Sequence, residues 1–250
     1  MKRLLTIIIG LFLLVSLNGQ IMRYSNYVAP PSGGLDTAGF HALVTDGHTK
    51  GWYNIGDGSA TYLTKDGSNL VSAWIDLVGT NDLVQATADY QPVYSSGGIT
   101  FDGSDDYLLK AFTYVKPEVI YIRFQQVTWA DNDAIFDGNS DASIALWQDG
   151  TSPTIKLFIS GGVASNTDLA TGTMGVVRVI YNDANSQIRV NNEDPTTVAS
   201  GTTGSSGGFK LGDGGGFGNS NIQVQEIILR DQVDTSGNDA LIMTYMMRDL

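Results

Sequence analysis

The residues best placed by type and spacing to do chemistry sit in one short run. Asp102-Gly103-Ser104-Asp105-Asp106 places three carboxylates within five positions, between the apolar stretches Ile99-Thr100-Phe101 and Tyr107-Leu108-Leu109. Clustered carboxylate oxygens suit a hard cation such as calcium. Paired carboxylates also suit acid–base work. An EF-hand loop requires glycine at its sixth position. Counted from Asp102, the sixth residue is Tyr107, so that geometry is excluded. The same residue types make tight turns, because Asp side chains bond nearby backbone N–H groups. The run reads as a hairpin between "ITF" and "YLLK" with the composition to hold one calcium ion through Asp102, Asp105 and Asp106, and not as a catalytic dyad. Asp131, Asn132 and Asp133 form a second oxygen-rich loop of the same kind.

Other catalytic chemistries are poorly supplied. There is no cysteine, which excludes disulfides, zinc–thiolate centres and thiol nucleophiles. The only histidines are His41 and His48, and no G-x-S-x-G elbow occurs. The glutamates Glu118, Glu193 and Glu226 are far apart in the chain. The net charge of −12 and a pI near 4.3 argue against nucleic acid, whose phosphates require clustered Lys and Arg.

The elements that must position these residues are strands. From about Phe40 onward, short apolar runs recur every 8 to 12 residues between Gly, Asn, Asp and Ser, the spacing of a β sandwich or barrel. Alternation within the runs assigns the two faces. Ile120, Ile122, Phe124, Ile155, Leu157, Val177, Val179, Ile188 and Val190 fall on the core phase. Tyr121, Arg123, Lys156, Arg178 and Arg189 fall on the opposite phase. Near the end, Asp234, Thr235 or Ser236 could cap a helix. Leu241 and Tyr245, and Ile242 and Met246, stand at i, i+4 spacing.

The first 19 residues read as a signal peptide: Lys2 and Arg3, then an apolar run from Leu4 to Leu17, then Gly19 before Gln20. That run is shorter than the roughly 20 residues needed to span a bilayer. The mature protein is therefore expected to be secreted or at the cell surface, with no membrane span. Residues 20–39 read as an extended lead-in, and 40–250 as one domain.

The stretch from Trp74 through Asn81-Asp82, Gln91-Pro92, Tyr94 and Phe101 to Leu108 resembles the opening of laminin-G-like domains of the concanavalin A-like lectin/glucanase superfamily. "VIYNDANSQIRVNNEDP" resembles that family's paired strands, with Asn192 replacing the usual turn glycine. "FKLGDGGG", "IQVQEIILRD" and a helix ending in "YMMRDL" resemble its closing segment. The resemblance spans about residues 40 to 250. It implies an all-β, two-sheet antiparallel jelly-roll sandwich with a short C-terminal helix. It also implies loop-edge calcium as a possible cofactor.

Glucanases of that superfamily carry paired glutamates on one strand in an E-x-D-x-x-E pattern, which is missing here. Glu226 matches an acidic position found in non-catalytic members. The functional expectation is therefore a secreted, non-catalytic binding or adhesion module for a glycan or surface protein. Its ligand contacts would be Tyr121, Arg123, Trp147, Lys156, Arg178 and Arg189, a basic stripe beside an aromatic ring suited to an acidic polysaccharide. One alternative is a structural subunit of a cell-surface or virion assembly. A second is a polysaccharide lyase or glycoside hydrolase.

Overall fold

The computed structural model describes residues 36–139, 144–215 and 217–250. The expected signal segment and most of the lead-in lie outside these residues. Helix α1 (Thr37–Val44) begins where an extended approach was expected. Asp36 caps it, its carboxylate accepting from the Gly39 N–H, and Phe40, Leu43 and Val44 bury one face.

Eighteen strands follow among the described residues: β1 (Thr49–Asn54), β2 (Leu63–Lys65), β3 (Val71–Trp74), β4 (Leu83–Val84), β5 (Val93–Ser95), β6 (Gly98–Asp102), β7 (Leu108–Ala111), β8 (Glu118–Gln126), β9 (Asp133–Asp137), β10 (Ile144–Gln148), β11 (Ile155–Ile159), β12 (Gly162–Asn166), β13 (Gly175–Tyr181), β14 (Gln187–Val190), β15 (Thr196–Thr197), β16 (Gly208–Leu211), β17 (Gly218–Asn219) and β18 (Asn221–Arg230). Helix α2 (Ser236–Met246) closes the fold, capped by Thr235, whose side chain accepts from the Asn238 N–H. Sheet A runs β15-β14-β13-β8-β18-β6-β5, with β1 also paired to β18. Sheet B runs β12-β11-β10-β9-β16-β7-β4-β3-β2, with β17 on β9. The pairings are antiparallel except β17 with β9. The protein is thus an all-β, two-sheet sandwich, as the strand spacing implies.

The core lies between the sheets. Every residue assigned to it by alternation, from Ile120 to Val190, is buried in one cluster together with Trp74, Phe101, Leu146 and Ile227. Each such side chain contributes roughly 1.5–3 kcal/mol. A second cluster lies on the outer face of sheet A, where α1 and α2 pack Phe40, Ile242, Met243 and Tyr245 against Trp52, Val119, Tyr121 and Ile228. Sheet A is consequently apolar on both faces along much of its width.

Two local expectations are corrected. The run Asp102 to Asp106 is not a hairpin. Strand β6 pairs with β5 and β18 in sheet A, while β7 pairs with β4 and β16 in sheet B. The acidic run is the crossing between the sheets, which local alternation does not reveal because both strands look alike. After β14 the left-handed residue is Asn191, at φ +46°, and not Asn192. Its side chain accepts from the Val176 N–H, which anchors that conformation to β13.

Candidate functional site

Sheet A brings most of the expected basic stripe together. Arg178 pairs with Arg189 across β13 and β14, and with Tyr121 across β13 and β8. Arg123 lies one row along β8. Lys156 is apart from them, on β11 of sheet B, where it pairs with Asp149. The solvent-facing groove expected of these residues is not what forms, because α2 lies across the row. Asp239, in the first turn of α2, receives Arg178 at 3.1 Å and Arg189 at 2.9 Å. It also accepts the Tyr121 hydroxyl at 3.0 Å. Burial drives the Tyr121 pKa well up, with the charges of Asp239 and Asp234 adding to it. Arg123 donates to the carbonyls of Met246 and Arg248.

Trp147 is 8% exposed. It lies against Phe158 and Phe217, with ring centroids 4.9 and 4.1 Å away. It caps an aromatic patch on sheet B and is remote in topology from the guanidinium row.

Asp102, Asp105 and Asp106 do converge, with one carboxylate oxygen of each within 4.8 Å of the others. Asp106 is buried and accepts from the Asp102 N–H at 3.0 Å. Its pKa is pushed up to about 6, chiefly by burial. The backbone bond opposes that rise, and the two neighbouring carboxylates add to it.

A cleft arises elsewhere, at an irregularity in β18. Residues Asn221–Val224 pair with β6, and Glu226–Arg230 pair with β1 on the same edge. Gln225 is the extra residue between them: opposite β8, Val224 faces Phe124 and Glu226 faces Arg123. A bulge of this kind breaks the ladder and re-aims side chains. Before it, Ile222 and Val224 point into the core; after it, Ile227 and Leu229 do. Glu226 is thereby turned out of the core phase to the outer face, where strict alternation would have placed it among the core residues.

A cavity of about 620 Å³ opens beside the bulge. Gln225 and Glu226 supply one wall with Arg123. The end of β1 and its loop supply Asn54, Ile55 and Asp57, and then Ser59, Thr61 and Tyr62. Ser96 comes from the β5–β6 turn, and Arg248 and Asp249 come from the tail beyond α2. Gly56 permits the tight loop: its φ is +49°, and an added Cβ would meet the Tyr62 ring at 2.2 Å. Glu226 is 1% exposed. It accepts from the Trp52 indole N–H at 2.8 Å and pairs with Arg248 at 2.8 Å. Arg248 also sits over the Tyr245 ring, 4.0 Å from its centroid. Hydrogen bonds from the Ser59 side chain and N–H hold the exposed Asp57 carboxyl below its ordinary pKa.

Arg123 is the only residue of the expected ligand set that lines this cavity. Glu226 was expected only as an acidic position of non-catalytic members, although the chain carries a readable mark of its place. In "IQVQEIILR" the apolar phase changes from Ile222 and Val224 to Ile227 and Leu229, and that change is the signature of the bulge that turns Glu226 to the outer face.

No protein-family model and no curated protein sequence matches the chain. Solved structures do match its fold. A Trypanosoma rangeli sialidase superposes with a TM-score of 0.58 at 13% identity, covering 81% of this chain and 33% of that one. The same enzyme in complex with sialic acid gives 0.58 at 12% identity, covering 92% and 36%. A GH54 α-L-arabinofuranosidase soaked with a cyclic sulfate inhibitor gives 0.55 at 14% identity, covering 71% and 50%. The chain therefore spans about a third to a half of the structures it matches, and likeness at this identity carries the fold alone. The matching structures named here are glycosidases, a finding that goes against the expectation of a non-catalytic binding module. No helix among the described residues is long and apolar enough to cross a membrane.

Proposed function

We propose that this chain is a glycan-processing domain of the glycoside hydrolase type, acting outside the cell, with the cavity beside the β18 bulge as its active site. The observation that carries this reading is Glu226, a buried carboxylate held rigidly by Trp52 and Arg248 at the wall of a polar cavity. The cavity also carries the exposed carboxylates Asp57 and Asp249. Glycoside hydrolysis uses two carboxyl groups, one as nucleophile or base and one as proton donor. Glu226, ion-paired and fixed in orientation, takes the first role. Asp57 is poorly suited to the second, because Ser59 stabilises its ionised form. Asp249 is left as the proton donor. The fold neighbours, a sialidase and an arabinofuranosidase, support the reaction class. The concanavalin A-like jelly-roll membership implied by the sequence is proposed on the same footing.

The test is turnover of a panel of aryl glycosides and polysaccharides by the purified chain. Glu226→Gln is expected to lower the rate by about 10²–10⁴-fold, while the indole bond keeps an acceptor. Turnover by the variant at the parent rate would remove Glu226 from the mechanism.

We further propose that Asp102, Asp105 and Asp106 hold one calcium ion. A divalent cation there would favour the ionised Asp106 against the burial that chiefly raises its pKa, and would offset the repulsion from Asp102 and Asp105 that adds to it. Calcium at 100 times its dissociation constant would then stabilise the fold by about 2.7 kcal/mol. Identical melting curves with calcium and with chelator would exclude the site.

A further inference from the structure

We propose that the cavity beside the β18 bulge selects a neutral, hydroxyl-rich glycan end and rejects anionic sugars. The inference rests on the cavity's being the glycan site proposed above, and it names the substrate class from charge and hydrogen-bonding capacity.

Of the two cations of the cavity, Arg248 is ion-paired and Arg123 is buried. Arg248 gives one nitrogen to Glu226 and another to the Tyr245 carbonyl. Arg123 donates to two main-chain carbonyls and is itself 8% exposed. The carboxylates at the mouth stand differently. Asp57 and Asp249 are exposed and have no ion pair with any described residue. The approach to the cavity is therefore negative, and it lies on a protein whose net charge is −12. Field lines from such a surface lower the local concentration of anions. A carboxylated or sulfated sugar would have to displace Glu226 from Arg248, leaving a buried carboxylate unpaired, or else reach Arg123, which lies buried behind the cavity wall.

A cation is a poorer fit than a neutral sugar. An ammonium only donates hydrogen bonds, whereas each sugar hydroxyl both donates and accepts. The walls offer both functions: Asn54 and Gln225 amides, and Ser59, Thr61 and Ser96 hydroxyls. Ile55 and the Tyr62 ring add apolar surface for the C–H face of a sugar. This selectivity is opposite in sign to the one that the guanidinium row suggests from sequence, because that row lies under α2.

The experiment is calorimetric titration of the full chain with trisaccharides of three charge classes. Maltotriose, xylotriose and arabinotriose are neutral, 3′-sialyllactose and trigalacturonate are anionic, and the glucosamine trimer is cationic. At least one neutral probe is expected to bind ten times more tightly than either anion and than the cation. Asp57→Asn combined with Asp249→Asn should narrow the gap between neutral and anionic probes about fivefold. Both positions are exposed, and an unchanged thermal midpoint confirms the fold. An anionic or cationic probe that binds best, or a gap unmoved by the double variant, overturns the proposal. Neutral binding without turnover removes the hydrolase reading and leaves this one. Turnover confined to anionic glycans removes this one and leaves the hydrolase. Absence of binding in every arm removes both.

Discussion

Two neighbouring rows on the outer face of sheet A are built from the same residue types and come to different ends. In one, Tyr121, Arg178 and Arg189 meet Asp239 under helix α2. In the next, Arg123 faces Glu226 across β8 and β18, and Arg248 completes the group. The first row is sealed. The second borders a cavity, because α2 ends at Met246 and the strands flanking the bulge diverge. Strand-face charge is therefore sealed where a helix covers it and borders a cavity where the helix stops. The difference lies in the reach of one helix, and not in the strands that carry the charges.

The largest expected effect tests the sealed row. Asp239→Ala leaves the buried Arg178 and the half-buried Arg189 without their carboxylate, and removing one partner of a buried ion pair costs about 3–5 kcal/mol. Urea denaturation should show a loss of that order. A loss under about 1 kcal/mol, the range of an exposed pair, would mean that α2 does not seal the row in solution.

A further buried carboxylate, on β8 of sheet A, sharpens the contrast. Glu118, at the start of β8 and on the inner face, has no ion pair with any described residue and is fully buried. Burial pushes its pKa up to about 7 from 4.5, against the opposing bonds from Ser206. The folded state therefore binds a proton that the unfolded chain has released. Its contribution to stability is present below pH 4.5 and is lost as pH rises toward 7. The expected loss is about 3 kcal/mol, because each pH unit separating the folded and unfolded values is worth about 1.36 kcal/mol. Glu118→Gln should lessen the fall in stability across that window, with Asp106, at about 6, accounting for part of what remains. A slope unchanged by this variant would place the titration elsewhere.

Arg248→Met tests the second row. Glu226 keeps its indole bond but loses its ion pair, so stability should fall by about 1–3 kcal/mol while glycan turnover falls more steeply. Equal losses in stability and activity would make Arg248 merely structural. The smallest effect belongs to the helix that separates the two rows. Thr235→Ala removes the α2 cap, at a cost of about 1 kcal/mol. Hydrogen exchange should then rise first in α2. Unchanged protection there would show that Asp239, and not the cap, holds the helix down.

Much of this molecule was legible in the chain. Alternation alone placed Ile120, Ile122, Phe124, Val177 and Val190 in the core, because a strand's side chains switch faces at every residue whatever lies beyond it. The terminal helix was readable from Thr235 and the i, i+4 apolar pairs for the same local reason. Even the bulge left its mark, in the phase change around Gln225. Which partner a strand takes, and what covers its outer face, are set by contacts far apart in sequence. Strands β6 and β7 look like a hairpin and belong to different sheets. Arg178 and Asp239 stand 61 positions apart, and Glu226 and Trp52 stand 174 apart. Charged side chains on an outer phase satisfy local alternation equally well in water or beneath a helix, so only tertiary packing decided that one row is buried and the other opens on a cavity.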